Sequence, residues 1–228
     1  MKYDFNIIIK RTNRTKTVSF RIKNQEVIIS APKFLSDNEI YHLVEKKLKW
    51  IKNKLALDKL DTGIIIKRKY ENGDSFLYFG TEYLLKIKKS NKDNVYIEDA
   101  NLIIEVKNTS NIFDVKNILK NWYIEESKKY LIKTNSYYEI LIGVKTNKLL
   151  FGQYKSKWGS CNSKKIISYD WRIIMAPLEV IHYLIIHELC HIKHPNHSKF
   201  FWNYVEKFMI NYKTQKEWLK NNSNKLIF

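Results

Sequence analysis

His187, Glu188 and His191 occur as His-Glu-Leu-Cys-His, and His197 follows six residues after the second of these histidines. On a helix turning about 100° per residue, positions four apart lie within roughly 40° of one another, one turn along the same face. Two imidazole nitrogens can therefore share one metal ion. Glu188 is next along that helix, placed to act on water at the metal's open position and not as a ligand. Pro195 stops the helix, so the chain can turn back and bring His197 in from a separate segment, as tetrahedral geometry needs. Three neutral histidines leave Zn²⁺ its charge and one open position, where the pKa of water can fall to about 7. Glu188 would take that proton and return it to a leaving amine. The expected chemistry is zinc-dependent hydrolysis of peptide bonds, with a peptide or protein as substrate.

The neighbouring polar groups each have a plainer alternative. Tyr183 precedes His187 by four residues and shares its face, where it could line the site, donate to an oxyanion or simply pack. His194 is a second candidate for the third ligand. It lies three residues beyond His191 and next to Pro195, which suits the helix end or an outer position better, so His197 is preferred. Glu206 offers a carboxylate third ligand from a following helix, against the ordinary role of a solvated glutamate. His182 points away from the metal face and His42 is isolated far upstream, so both are expected to be structural. Cys161 and Cys190 have no redox spacing and read as small core residues.

The 187, 191 and 197 spacing equals that of the metzincin pattern HExxHxxGxxH, with His194 standing where that pattern has glycine. Glycine permits a positive φ there, whereas His194 must tolerate it or turn differently before Pro195. A wider set of motifs carries a closer likeness: Trp158-Gly-Ser-Cys161, the stretch 176–183, His-Glu-Leu-Cys-His, Asn196-His197-Ser198 and Phe201-Trp202. Together they resemble the YgjP-like metallopeptidase family, similar to the SprT and WLM zinc proteases. Weaker N-terminal signals, Ala31-Pro32, Trp50-Ile51 and Tyr78-Phe79-Gly80, extend the resemblance over nearly the whole chain. It implies a zincin-like fold, His187, His191 and His197 as zinc ligands, and Glu188 as the catalytic acid/base.

The elements that must hold these residues follow from periodicity. Between 177 and 186, Val180, Ile181, Leu184 and Ile185 make an apolar stripe with Pro177 at a first helical position, so the metal motif falls on a buried amphipathic helix. Ile167, Tyr169, Trp171 and Ile173 alternate as a strand just before it. The resemblance implies that this strand lies at the sheet edge, where an extended substrate can pair through its backbone; the plainer alternative is an ordinary strand. Thr214 and Glu217 cap a last short helix carrying Trp218 and Leu219. Upstream, Val18, Phe20 and Ile22 alternate, Asn24-Gln25 turns, and Val27, Ile29 and Ala31 alternate again. Ser36 and Glu39 form a capping box before a stripe of Ile40, Val44, Leu48, Ile51 and Leu55. Asn72-Gly73 signals another hairpin, continued by Tyr83, Leu85 and Ile87, with two short strands over 95–106. Ile112, Val115, Leu119 and Trp122 then repeat at helical spacing.

The fold class expected is α+β: a β-rich N-terminal half with one helix, residues 1–108, followed by a metallopeptidase half, residues 109–228, with the boundary near 108–111. A chain of 228 residues can bury a sizeable core in one large or two small domains.

Charge is the second signal. Lys and Arg number 41 against 23 Asp and Glu, a formal net charge of +18, enough to attract phosphate backbones or acidic partners. The lysines are scattered, although Lys46-Lys47, Lys67-Arg68-Lys69 and 155–157 could form one face. The alternative reading is thus a basic nucleic-acid-binding protein with a structural metal site, or a DNA-localised protease. Glu188 discriminates, because a purely structural site has no use for a carboxylate beside its first ligand and closes with four protein ligands. The six glycines make no phosphate-binding loop, which excludes nucleotide hydrolysis on that basis. No apolar run reaches about 18 residues and no signal peptide is evident, so a cytoplasmic protein without membrane association is expected.

Overall fold

Alternating apolar residues at 20–22 and 27–31 build the first sheet. The computed structural model describes residues 3–23, 25–61, 68–107 and 112–228, in two compact units, Met1–Lys67 and Arg68–Phe228. In the first unit, β2 (Ser19–Lys23) and β3 (Glu26–Pro32) pair antiparallel as the hairpin pattern requires, with Ile22 opposite Val27. β1 (Asn6–Thr12) joins the other side of β3 in parallel. The capping box forms as expected: the Ser36 hydroxyl accepts the Glu39 N–H, and Glu39 accepts the Ser36 N–H. It starts α1 (Asp37–Lys46), which breaks at Lys47 before α2 (Leu48–Asp61). Ile40, Val44 and Ile51 bury against Val27, Ile29 and Ala31.

The second unit holds two sheets. In the first, β4 (Ser75–Tyr78), β5 (Thr81–Lys89), β7 (Asn101–Val106) and β6 (Asn94–Glu98) lie in the order β4-β5-β7-β6. The β4–β5 hairpin turns on Phe79 and Gly80, with φ of 49° and 78°, the left-handed pair of a two-residue hairpin turn. Asn72-Gly73, expected to make a hairpin turn, precedes β4 instead, where the Gly73 N–H donates to the Leu85 carbonyl. Phe79 and Gly80 donate to the carbonyls of Ile174 and Met175. A β-carbon at Gly80 would stand 2.9 Å from Pro177 Cα, so this turn packs directly beneath the start of the metal-motif helix.

The boundary expected at 108–111 falls outside the described residues. The compact units part further upstream because the apolar face of the four-stranded sheet needs a cover. Phe76, Leu85, Leu102 and Ile104 share one buried cluster with Val115, Leu119 and Tyr123 of α3 (Ile112–Ile142). The helical spacing from Ile112 to Trp122 covers only the first part of α3. The helix continues to a glycine stop, Gly143, at φ of 70°.

In the second sheet, β8 (Lys148–Gly152), β10 (Ile166–Asp170) and β9 (Gly159–Cys161) lie in the order β8-β10-β9. The strand expected at the edge is therefore the central one, with both sides of β10 hydrogen-bonded. Trp171 and Ile173 leave the strand for a 3₁₀ turn, Trp171–Met175, capped by the buried Asp170 side chain. α4 (Leu178–Cys190), α5 (Lys199–Phe208) and α6 (Tyr212–Asn222) complete the chain with a short C-terminal 3₁₀ turn. Thr214 lies inside α6, whose N-cap is Asn211. The whole is α+β, strands leading and helices following. Among the described residues, no helix is long and apolar enough to cross a membrane.

Candidate metal centre

Pro177 occupies the N-cap of α4, and its carbonyl accepts the N–H groups of Val180 and Ile181 at 2.9 and 3.1 Å. Val180, Ile181, Leu184, Ile185, Ile186 and Leu189 are all buried, so packing holds the helix on most of its circumference. The helix ends at Cys190, ahead of Pro195. His191 keeps helical dihedrals as the C-cap, and the His194 N–H closes the turn onto the Cys190 carbonyl at 3.0 Å.

His187, His191 and His197 come together, with ligand atoms all within 4.8 Å of one another. His187 Nε2 lies 3.2 Å from His191 Nε2 and 3.0 Å from His197 Nε2. Zinc–nitrogen bonds of about 2.0–2.1 Å give tetrahedral edges of about 3.3–3.4 Å. The donor set thus fits a tetrahedral divalent ion with one position left over. Burial, then the neighbouring His191 and His197, then Lys216, push His187 down to about 3. His191 and His197 are held below their ordinary value as well, burial leading in both. Neutral imidazoles can each turn a lone pair to one point, as a shared cation requires.

The outer nitrogens are also positioned. His191 Nδ1 lies 3.0 Å from the His194 carbonyl, which only accepts, so Nδ1 carries the proton and Nε2 presents its lone pair. Tyr183, buried on the same helix face, brings its hydroxyl within 3.4 Å of His187 Nδ1. Phe201 of α5 forms a buried floor, stacked on His191 at 4.4 Å and edge-on to His187 and His197. The Ser198 hydroxyl caps α5 by accepting the Phe201 N–H, which sets that ring against the site.

Glu188, the residue after His187 on α4, is 4% exposed and packs on Gly159 of β9. A β-carbon at Gly159 would stand 2.6 Å from Glu188 Oε1 and 2.8 Å from its Cγ. Burial pushes the carboxyl up to about 8, against the Lys157 ammonium and the Cys161 backbone N–H it accepts, which both pull it down. Gly159, Cys161 N–H and Lys157 were not assigned a role from sequence. The glycine of Trp158-Gly-Ser-Cys161 was the available signal, but nothing local tied it to Glu188.

The remaining candidates lie elsewhere. The His194 ring sits on Tyr204 at 5.1 Å, and Glu206 is exposed on α5, outside the histidine group. His182 is held between the hydroxyls of Tyr130 and Tyr138 at 2.7 and 3.2 Å, while His42 is exposed on α1. Both cysteines are free thiols. Burial pushes Cys190 up to about 12, and burial with the nearby Glu188 pushes Cys161 up to about 11.

With this geometry in place, the sequence model of one protein family, YgjP-like, metallopeptidase domain, matches residues 16–222. No curated protein matches the chain. Among solved structures, the chain is similar to the metallopeptidase zymogen of Pyrococcus abyssi abylysin, with 24% identity and a TM-score of 0.37, over 42% of this chain and 94% of that one. It is also similar to the metallopeptidase zymogen of Methanocaldococcus jannaschii jannalysin, with 22% identity and a TM-score of 0.37, over 42% of this chain and 97% of that one.

Proposed function

The chain belongs to the YgjP-like metallopeptidase family, and from that premise we propose that His187, His191 and His197 hold a zinc ion beside which Glu188 serves as general base and then general acid. A metal-dependent peptidase takes peptides or proteins as substrates. The observation that carries the assignment is the convergence of three imidazoles, with His187 Nε2 3.2 and 3.0 Å from Nε2 of His191 and His197, and a buried carboxyl on the residue after His187. When bound, zinc supplies a Lewis acid that polarises a carbonyl and acidifies water.

The chain's own residues do the rest. His191 is fixed in orientation by its Nδ1–H bond to the His194 carbonyl, and His187 by burial on α4. Glu188 is held at one oxygen by the Cys161 N–H and pressed into place by the backbone at Gly159. Its carboxylate can take a proton from water, and the proton affinity raised by burial lets it hold that proton until it passes to the amine nitrogen that leaves. β9 has a strand partner on one side only among the described residues. An extended peptide can add to its other side by backbone hydrogen bonds, which brings a scissile bond past Glu188.

The test is Glu188→Gln. The variant should keep its fold and one zinc per chain while peptide hydrolysis drops about 10²–10⁴-fold, the usual contribution of a positioned acid or base. Full activity in a metal-loaded variant would remove Glu188 from the mechanism. The net charge of +18 supports a second reading, contact with a nucleic-acid backbone, which electrophoretic binding with a steep salt dependence would reveal. The free thiols support a reducing, cytoplasmic setting.

A further inference from the structure

Lys216 stands where a substrate-facing cation would be useful, on an aromatic ring and without an ion-pair partner among the described residues. Tyr212 and Lys216 share a face of α6, one turn apart. Lys216 Nζ lies 3.8 Å from the centre of the Trp202 ring. Trp202 in turn stacks on Tyr212 at 5.3 Å and on His197 at 5.4 Å, and its ring is 5.7 Å from that of His187. One aromatic wall thus joins the lysine to two of the three histidines. Both His197 and Lys216 are exposed, so this wall is a rim of the site open to solvent.

Lys216 reaches the histidines through one ring: its ammonium lies over the Trp202 face that also stacks on His197. A positive charge on this rim disfavours a metal cation between the histidines, so Lys216 is an electrostatic cost to the site it borders. No ion pair to Lys216 is present among the described residues. The indole face supports the ammonium but does not neutralise it. An arriving carboxylate would offset the cost and complete the cation's partners.

We propose that Lys216 recognises a carboxylate of the peptide substrate at the His197–Trp202 rim, so that the site favours peptides presenting an acidic group there. The carboxylate can be a free C-terminus or an Asp or Glu side chain. This rests on the peptidase reading for its substrate, and binding separates the two. The probes are N-acetylated alanine hexapeptides: one with a free C-terminal carboxylate, one C-terminally amidated, and one amidated with a single internal aspartate. Their dissociation constants are measured on the zinc-loaded Glu188→Gln protein, with Lys216 intact, as Lys216→Met and as Lys216→Arg. With Lys216 present, one or both acidic peptides should bind roughly fivefold more tightly than the neutral amide, the scale of a partly exposed charge pair. Which acidic peptide gains identifies the source. Lys216→Met should collapse that ratio towards one, and Lys216→Arg should restore most of it, an outcome that loss of packing on Trp202 would not produce. Equal binding of all three peptides to the protein with Lys216, or an unchanged ratio in Lys216→Met, overturns the proposal. In the protein with Glu188 intact, kcat/KM should show the same preference. Hydrolysis that survives Glu188→Gln would count against the assigned mechanism while leaving the binding ratios to decide on Lys216.

Discussion

Gly159 and Glu188 are in contact through the one position on β9 where any side chain would collide with the carboxyl: an added β-carbon would lie 2.6 Å from Oε1 and 2.9 Å from Cδ. The absence of a side chain at Gly159 is thus a condition for where Glu188 sits. Gly159→Ala should displace the carboxyl and lower kcat by about 10²-fold, as small misplacements of a reacting group do. Zinc content should be unchanged, because the atoms nearest an added β-carbon all belong to Glu188 and none to a histidine. A variant with wild-type kcat would show that Glu188 can move aside at no cost.

The metal-free protein should show opposed pH effects on stability. His187 is held at about 3 against its ordinary 6.5. Its folded site refuses a proton the unfolded chain accepts, so stability is lost as pH falls from 6.5 towards 3. Glu188 is raised to about 8 from 4.5. The folded state keeps a proton the unfolded chain releases, so that contribution is complete below 4.5 and is lost as pH rises through 8. Each effect has a limiting slope of about 1.4 kcal/mol per pH unit. Urea titrations of metal-free Glu188→Gln should lack the loss between 6.5 and 8. An identical profile for the two proteins would contradict the burial of that carboxyl.

Removing the metal should soften the fold, because on the proposed assignment a shared cation holds the three imidazoles together. At zinc concentrations about 1,000-fold above Kd, the ion adds about 4 kcal/mol. Chelation should lower Tm and zinc should restore it. His197→Ala should weaken zinc binding by more than the roughly 10–100-fold typical of losing an outer partner, and should abolish most of the zinc-dependent rise in Tm. Retention of wild-type affinity would point to a ligand other than His197.

Tyr183 reaches the outer nitrogen of His187, Nδ1, on the side of the ring away from Nε2. It is therefore placed to orient the ligand, not to contact an oxyanion beside the metal. Tyr183→Phe should cost about tenfold in zinc affinity, the low end for an outer partner at this longer distance. With zinc saturating, kcat should stay within a few-fold of wild type. A loss of about 10²–10³ in kcat would instead mark an oxyanion donor.

Asp170 is wholly buried and paired with Arg172 at 2.6 Å. It also accepts the Tyr154 N–H at 2.8 Å, while Arg172 donates to the Tyr154 carbonyl. This pair clamps the loop that leads through Trp158 into β9. Asp170→Ala leaves a nearly buried guanidinium uncompensated and should cost about 3–5 kcal/mol. Peptidase activity should fall with it as Gly159 loses its register against Glu188. A variant melting within a degree of wild type would disprove the clamp.

Much of this molecule was legible from local pattern. The spacing of His187 and His191 is a property of one helix, as is the capping box of Ser36 and Glu39, and the 19–32 hairpin follows from period-two alternation. Such signals involve residues near one another in sequence, so propensity and periodicity report them directly. Other features depended on packing between distant segments. That β10 is central and β9 the edge strand follows from β8 taking one side of β10 and β9 the other, a choice no alternation encodes. Asn72-Gly73 has the composition of a hairpin turn, yet the turn forms at Phe79-Gly80, which is pinned against the 174–177 segment. The four-stranded sheet groups with the C-terminal elements because its apolar face is buried with α3. The sequence by itself determined which residue types could bind a metal and move a proton. Only the tertiary structure brought His197 to the pair on α4, set Gly159 and Cys161 against Glu188, and left Lys216 beside the histidines. Each of these is a long-range contact, and its energy comes from burial and charge that exist only once the chain is folded.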